Sequence, residues 1–454
     1  MTLIKSISGI RGTIGGSPGD NLTPVDIVEC TAGFGEWIKK RHQNPKVVIG
    51  RDGRMSGHIV DALVVNTLLS MGIDVLNLGL STTPTVEVAV PIENASAGII
   101  ITASHNPKQW NALKFLNSDG EFISAADGEE IINYISAGKL HFTDVDSLGI
   151  LTHDDTYISK HIDMILDLPY VDADVIKAYG FKVVVDCINS TGAISVVPLL
   201  EKLGCEVIAI HDEITGDFAH NPEPRPDHLR DLSSTVVQHN AHLGISVDPD
   251  VDRLAFVSED GSMFGEEYTL VAVADYILSQ KGGNTVSNLS STRALADVTA
   301  KHGGSYTASA VGEVNVVNAM KATNAVIGGE GNGGIILPDL HYGRDALVGI
   351  AMMLNLLANK QKSISALRKE YTHYEMVKDK IQLTPDIDID SLLARLQEKY
   401  AHEKTNTADG LKIDFSDGWV HLRKSNTEPI IRVYAEANTA ARAQQLAEML
   451  KQEV

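Results

Sequence analysis

Asp248, Asp250 and Asp252 stand at alternate positions in Asp248-Pro249-Asp250-Val251-Asp252-Arg253. Three carboxylates so close together are costly unless a cation neutralises them, and hard oxygen donors suit Mg2+ or Ca2+ better than zinc. An EF-hand is excluded, because Arg253 stands where that loop requires glycine. Three protein carboxylates leave coordination positions for water or a phosphate oxygen, the usual setting for magnesium in phosphoryl transfer. The bland alternative is an acidic, solvated turn.

Ser104 follows the apolar run Gly98-Ile99-Ile100-Ile101, within Thr102-Ala103-Ser104-His105-Asn106-Pro107. A serine after a strand commonly caps the next helix. As a nucleophile it needs a base or a cation, and adjacency in sequence guarantees His105 no contact with it. There is no Gly-x-Ser-x-Gly elbow, so a serine hydrolase lacks support. A phosphorylated serine is the better fit, since turn amides and cations can cradle its charge.

Glu330 and Asn332 lie in Gly328-Gly329-Glu330-Gly331-Asn332-Gly333-Gly334, where five glycines would let the backbone approach a ligand. Glu330 there could accept hydrogen bonds from sugar hydroxyls, although such loops are also common as plain turns. Arg423, Ser425, Asn426, Thr427 and Arg432 combine cations, hydroxyls and amides within ten residues. That is the composition of a phosphate cradle, and equally of a solvated hairpin connection. Arg11 and Lys114 are ambiguous alone; with Arg253 they supply local positive charge.

The elements that must position these residues repeat. Val47-Val48-Ile49-Gly50-Arg51-Asp52 reads as a buried strand, followed by an amphipathic helix over 59–71 and a strand at 74–76. A second copy opens at 181–186, with a helix ending at 203–204 and a strand at 206–208, its start obscured by Pro198. A weaker third copy runs through 285–286 and 293–302 to Gly303-Gly304. Strand, helix and strand in this order predict right-handed βαβ units and mainly parallel sheets. In each unit a further apolar strand enters one of the chemical loops, and ligands of open α/β sheets bind at the carboxyl ends of strands. The tail reads as strand, helix, hairpin with its turn at Asp417-Gly418, strand and final helix. The expected architecture is α/β. Three related domains with mixed, mainly parallel sheets (1–150, 151–258 and 259–370) precede a smaller α+β domain (371–454), all around a central cleft.

Composition narrows the partners. A net charge of −21 repels a polyphosphate backbone, so nucleic acid is not an expected partner. Apolar residues make up 43% of the 454, with no run long enough to cross a bilayer and no signal-peptide pattern at the start. Cys30, Cys187 and Cys205 are isolated, which suits a reducing compartment, and a cytoplasmic protein is expected.

With these loops in hand, the chain resembles the α-D-phosphohexomutase family along nearly its whole length. The motifs occur in that family's order: Ser8-Gly9-Ile10-Arg11-Gly12, the Ser104 loop, the aspartate loop, Gly329-Glu330 and Arg423-Lys424-Ser425-Asn426-Thr427. The resemblance implies that Ser104 carries the catalytic phosphate and also contacts a Mg2+ bound by Asp248, Asp250 and Asp252. It places Arg11, Lys114, His105 and Arg253 near the reacting phosphate, with Lys114 able to assist proton transfer. Glu330 and Asn332 would grip the sugar, and Arg423, Ser425, Asn426, Thr427 and Arg432 the non-reacting phosphate. The implied reaction interconverts hexose 1- and 6-phosphates through a sugar bisphosphate, in a monomer or homodimer.

Two departures bear on the sugar: the first motif is shortened, and the sugar loop has Asn332-Gly333-Gly334 where Ser-Gly-His is common in the family. Asn426 resembles the phosphomannomutase/phosphoglucomutase branch, whereas Glu428-Pro429 leans toward phosphoglucosamine mutases. Glucosamine phosphate is the favoured substrate, with broad specificity as the alternative. A metal-dependent sugar phosphatase and a sugar-phosphate-binding regulator are the rival functions.

Overall fold

The computed structural model describes residues 2–6, 9–383, 388–424 and 430–453. The chain divides into two compact units, Met1–Thr269 with Asn332–Ser365, and Leu270–Gly331 with Ala366–Val454.

The first unit holds two sheets. In the larger, Lys46–Arg51 lies between Ala97–Ile101 and Asp74–Leu80, all parallel. Val47, Val48, Ile49, Ile99, Ile100 and Ile101 are all buried, as expected of strands covered on both faces. Helices Pro24–Lys39 and Gly57–Ser70 contribute to the core on one face. The first begins at a capping box in which the Thr23 and Asp26 side chains each bond the other's backbone N–H. Thr83–Ile92 packs on the opposite face, through Val86, Ala89 and Val90. Trp110–Leu116 and Gly9–Thr13 then extend the sheet antiparallel, which makes it mixed.

In the second sheet Lys182–Asp186 pairs in parallel with Glu206–Ile210 and with Leu243–Val247, and Leu254–Ser258 returns antiparallel. The helix between the first two strands spans Gly192–Lys202, so Pro198 falls inside it rather than at its start.

In the second unit, Tyr306–Ser309, Asn284–Asn288 and Ala325–Glu330 are parallel neighbours. The carboxy-terminal sheet is wholly antiparallel, in the order Glu375–Gln382, Ile430–Ala437, Gly418–Lys424, Leu411–Phe415 and Lys404–Asn406. Leu392 and Leu396 from helix Ile389–Lys399, with Leu446 and Leu450 from Ala440–Lys451, share a core with Val420, Leu422, Ile431 and Val433. Strand alternation therefore turns Arg423 and Arg432 to the other face.

The hairpin turn is Ser416-Asp417, one residue earlier than expected, with Gly418 already paired to Phe415. Gly418 serves close packing: a Cβ there would lie 2.4 Å from the Glu436 carbonyl oxygen. The three cysteines are free. Among the described residues no helix is long and apolar enough to cross a membrane.

Candidate active site

Residues 102–109 leave the carboxyl end of Ala97–Ile101 and return as the antiparallel strand Trp110–Leu116. No helix follows, so Ser104 caps nothing. Its φ of +49° is a conformation few residues other than glycine adopt, and its surroundings hold it there. The Ser104 N–H donates to Thr102 Oγ1 over 2.9 Å, and the Thr102 hydroxyl donates to Asp52 Oδ2 over 2.6 Å. The Ser104 side-chain hydroxyl donates to Asp248 Oδ2 over 2.6 Å. His105 Nδ1 lies 3.4 Å from Ser104 Oγ, long for a hydrogen bond. Burial, then the charge of Arg253, pushes this imidazole well below its ordinary pKa, so at neutral pH it is uncharged.

Asp248, Asp250 and Asp252 occupy the turn between Leu243–Val247 and Leu254–Ser258, all three fully buried. One oxygen from each lies within 4.8 Å of the others. Oδ1 of Asp250 and Oδ1 of Asp252 are buried and accept no hydrogen bond among the described residues. Val251 between them has φ +63°, a strained conformation for a β-branched residue. Burial, then the charges of Asp250 and Asp252, drives the Asp248 pKa well above the carboxylate range. Burial acts on Asp250 in the same direction, but the Lys114 charge and hydrogen bond outweigh it and hold this pKa low. Three clustered, buried carboxylates with oxygens left unpartnered fit a hard divalent cation. Glu259 occupies the spacing of an EF-hand glutamate, but its carboxylate is taken up by Ser365.

The cations gather here. Lys114 Nζ lies 2.7 Å from Asp250 Oδ2 and 3.6 Å from Asp252 Oδ2. Burial disfavours its charge, but those two aspartates outweigh burial and raise its pKa. Arg11 pairs across the sheet with Ala112, two residues from Lys114, so the two side chains leave the same face. Arg11 Nε and Arg253 Nε are buried without a hydrogen-bond partner among the described residues. The Arg253 N–H donates to Asp248 Oδ1 over 3.1 Å, and Arg253 Nη1 to Glu223 Oε1 over 3.2 Å.

Several contributors carry no motif that sequence reasoning used. Arg54 is fully buried and directs all five of its N–H donors at this loop system. Nε donates to Asp52 Oδ2, Nη1 to the carbonyls of Pro107 and Trp110, and Nη2 to those of Ser104 and Asn106. Thr83 Oγ1 donates to Asp250 Oδ2 over 2.5 Å, and Arg344 Nη2 to Asp252 Oδ2 over 2.7 Å. The segment 211–225 reaches the same loops: Asp217 pairs with Lys108, the Phe218 ring faces the Arg54 guanidinium at 5.1 Å, and Glu223 holds Arg253. The sequence signal for Arg54 is Asp52-Gly53-Arg54 directly after a buried strand, the placement shared by the serine, aspartate and glycine-rich loops.

Asn332 Oδ1 accepts from the Gly334 N–H, which shapes its own turn. In the second unit, Glu330 ends Ala325–Glu330, buried, with Oε1 accepting from Asn288 Nδ2 at 2.9 Å and the Gly312 N–H at 3.2 Å. Arg423 stands directly opposite Arg432 on antiparallel strands. Asp409 Oδ2 lies 3.5 Å from Arg423 Nη1. Ser425, Asn426 and Thr427 lie outside the described residues.

Family models for phosphoglucomutase/phosphomannomutase match in order: α/β/α domain I over residues 3–141, domain II over 159–261, domain III over 265–374 and the C-terminal domain over 377–453. The chain is 35% identical over 442 residues to a protein of Methanopyrus kandleri named "Probable phosphoglucosamine mutase", covering 97% of this chain and 95% of that one. It is 34% identical over 444 residues to the "Phosphoglucomutase/phosphomannomutase" of Thermococcus kodakarensis, covering 96% of each. A crystal structure of a phosphoglucomutase/phosphomannomutase family protein from Burkholderia thailandensis superposes with a TM-score of 0.87 at 25% identity, covering 99% of this chain and 96% of that one. With four domains matched in order and relatives similar from end to end, the chain belongs to the phosphoglucomutase/phosphomannomutase family and is an intramolecular phosphotransferase, an isomerase.

Proposed function

We propose that this phosphohexomutase lends a phosphoryl group from Ser104 to a hexose monophosphate and recovers the sugar's other phosphate. The observation that carries the reading is the Ser104 hydroxyl bonded to Asp248 within a cluster of three buried carboxylates.

In the first half-reaction a sugar hydroxyl oxygen forms a bond to the phosphorus on Ser104 while the bond from phosphorus to Oγ breaks. The hydroxyl proton is released, and Ser104 Oγ takes up a proton as it leaves. The product is a sugar bisphosphate, and after it reverses end for end the same steps run backwards with the other phosphate.

Asp248, Asp250 and Asp252 would hold magnesium, which when bound supplies Lewis-acid stabilisation to the phosphoryl oxygens. Lys114, kept protonated by Asp250, offers a cation to the same charge, together with Arg11 and Arg253. His105, being neutral, contributes hydrogen bonding rather than charge. Arg54 acts through the loop carbonyls, fixing where the serine points. Glu330 and Asn332 would take sugar hydroxyls, and Arg423 and Arg432, with Ser425, Asn426 and Thr427, the non-reacting phosphate. Arg423 and Arg432 stand directly opposite each other, so two guanidinium groups are gathered at one place on the sheet, which supports that role.

Intact-mass measurement and peptide mapping test the mechanism. Purified protein is expected to carry a substoichiometric phosphate at Ser104, and Ser104→Ala to be folded and inactive. A fully active Ser104→Ala refutes it.

For the sugar, we propose glucosamine phosphate, on Glu428-Pro429, the Asn332 loop and the name of the Methanopyrus relative. The Thermococcus relative's name supports a second reading, glucose and mannose phosphates. The kcat/KM values for the three 1-phosphates, each with a trace of bisphosphate, decide between them. Inorganic phosphate released in place of isomer would point to a phosphatase.

A further inference from the structure

A second cluster of titratable side chains is buried in the first unit, apart from the three aspartates. It brings together His161 from helix Tyr157–Leu166, His341, and Asp345 at the N-cap of helix Ala346–Lys360. Asp345 Oδ2 lies 3.0 Å from His161 Nε2 and 3.5 Å from His341 Nε2. A tetrahedral ion with bonds of about 2.0–2.1 Å holds its ligand atoms roughly 3.3 Å apart, so these separations match. The two imidazole planes meet at 82° with centroids 6.0 Å apart, and one ligand atom from each of the three residues lies within 4.8 Å of the others.

The outer nitrogens are also provided for. His161 Nδ1 lies 3.0 Å from Thr85 Oγ1, and His341 Nδ1 lies 3.4 Å from Glu87 Oε2. An oxygen acceptor behind the ring is what metal-bound histidines usually have. The second oxygen of Asp345, Oδ1, accepts from the N–H groups of Leu347 and Val348, which leaves Oδ2 aimed at the histidines.

A plain hydrogen-bond relay from Thr85 through His161 to Asp345 accounts for two members of the cluster. It does not account for His341. That side chain is only 10% exposed, and its two ring nitrogens face Glu87 Oε2 and Asp345 Oδ2 at 3.4 and 3.5 Å, both too long for ordinary hydrogen bonds. Buried polar groups are rarely left so.

We propose that His161, His341 and Asp345 bind one transition-metal ion of the zinc type through Nε2, Nε2 and Oδ2, with Thr85 and Glu87 orienting the two imidazoles. Two imidazoles and one carboxylate select zinc, cobalt or nickel over magnesium, which sets this site apart from the all-carboxylate loop. Three protein ligands leave a fourth position of the tetrahedron open to another donor. The ion's effect is to tie neighbouring elements together. Arg344, next to Asp345, bonds Asp252, and the Ala346 N–H bonds the Val251 carbonyl. An ion here therefore braces the back of the aspartate loop.

The test uses the full chain without an affinity tag, stripped with chelator and titrated with Co2+ under excess Mg2+. Visible bands of tetrahedral Co2+ are expected to saturate at one ion per chain and to disappear on adding Zn2+. They should persist in Asp250→Asn, because the site is not the aspartate loop, and be lost in His341→Gln. Zn2+ should raise the melting temperature of the wild-type protein and leave that of His341→Gln unchanged. Absence of bands in the wild type, or their persistence in His341→Gln, overturns the proposal. If His341→Gln does not fold, the wild-type measurements decide, and a melting temperature indifferent to Zn2+ overturns it equally.

Discussion

The Ser104 hydroxyl and the Asp248 carboxylate meet at 2.6 Å although 144 positions separate them in the chain. They arrive from different sheets, each at the carboxyl end of a buried strand. Burial and its two neighbours raise the pKa of Asp248, and the serine hydroxyl donates into that carboxyl group.

Asp248→Asn is therefore expected to separate stability from activity. Asparagine can still accept from Ser104, and one source of repulsion is gone. The melting temperature in metal-free buffer should hold or rise, while mutase activity falls by about 100-fold or more. Chelator should abolish wild-type activity, and Mg2+ should restore it. An Asp248→Asn protein that melts much lower yet retains activity would contradict this account.

Arg54 gives a prediction of the opposite kind. Removing it leaves Asp52 buried without its cation, a change worth about 3–5 kcal/mol in comparable pairs. Arg54→Ala should lower the denaturant midpoint accordingly. Arg54→Lys keeps the charge but offers three donors in place of five, so it should recover part of the stability and much less of kcat. Urea unfolding and steady-state rates on the two variants provide the check; equal activity in Arg54→Lys and the wild type would remove Arg54 from the mechanism.

The segment that reaches Lys108, Arg54 and Arg253 is itself clipped at Asp186. Asp186 Oδ1 lies 3.0 Å from His211 Nδ1, and Oδ2 lies 2.7 Å from His220 Nε2; Asp231 lies 3.8 Å from His211 Nε2. The hydrogen bond to Asp186 raises the His211 pKa. For His220, burial opposes the charge, but the bond and charge of Asp186 prevail. Burial would raise Asp186, yet the two histidines hold it down at about 2. Groups with raised folded pKa values stabilise fully below the ordinary histidine value of about 6.5, and this contribution fades as pH rises through the folded values. The melting temperature should decline from about pH 6.5 upward, and His220→Gln should flatten that slope. Parallel profiles for the two proteins between pH 5 and 9 would sink the assignment.

Gly216, in the same segment, should not tolerate a side chain. Its φ is +65°, and an added Cβ would lie 2.2 Å from the Gly53 carbonyl oxygen, a backbone atom that cannot swing away. Gly216→Ala is expected to cost about 1–3 kcal/mol from backbone strain alone, with the clash in addition. Thermal unfolding measures it, and a neutral substitution would mean that this contact is loose.

What the sequence by itself determined is the part written in short-range pattern. Continuous apolar strands followed by polar loops revealed the βαβ repeats, because burial on both faces leaves no freedom of composition. The alternate aspartates and the serine after Ile101 were legible because charge so concentrated has few uses. The tertiary structure alone decided that Ser104 bonds Asp248 rather than capping a helix, that Arg54 holds the serine loop, and that Thr83 and Arg344 complete the aspartate turn. Each depends on contacts between residues tens to well over a hundred positions apart. An arginine after a strand looks the same in sequence whether solvent or five carbonyl and carboxylate oxygens surround it. Packing is what distinguishes those environments, since only the folded chain removes the water that would otherwise satisfy the same groups.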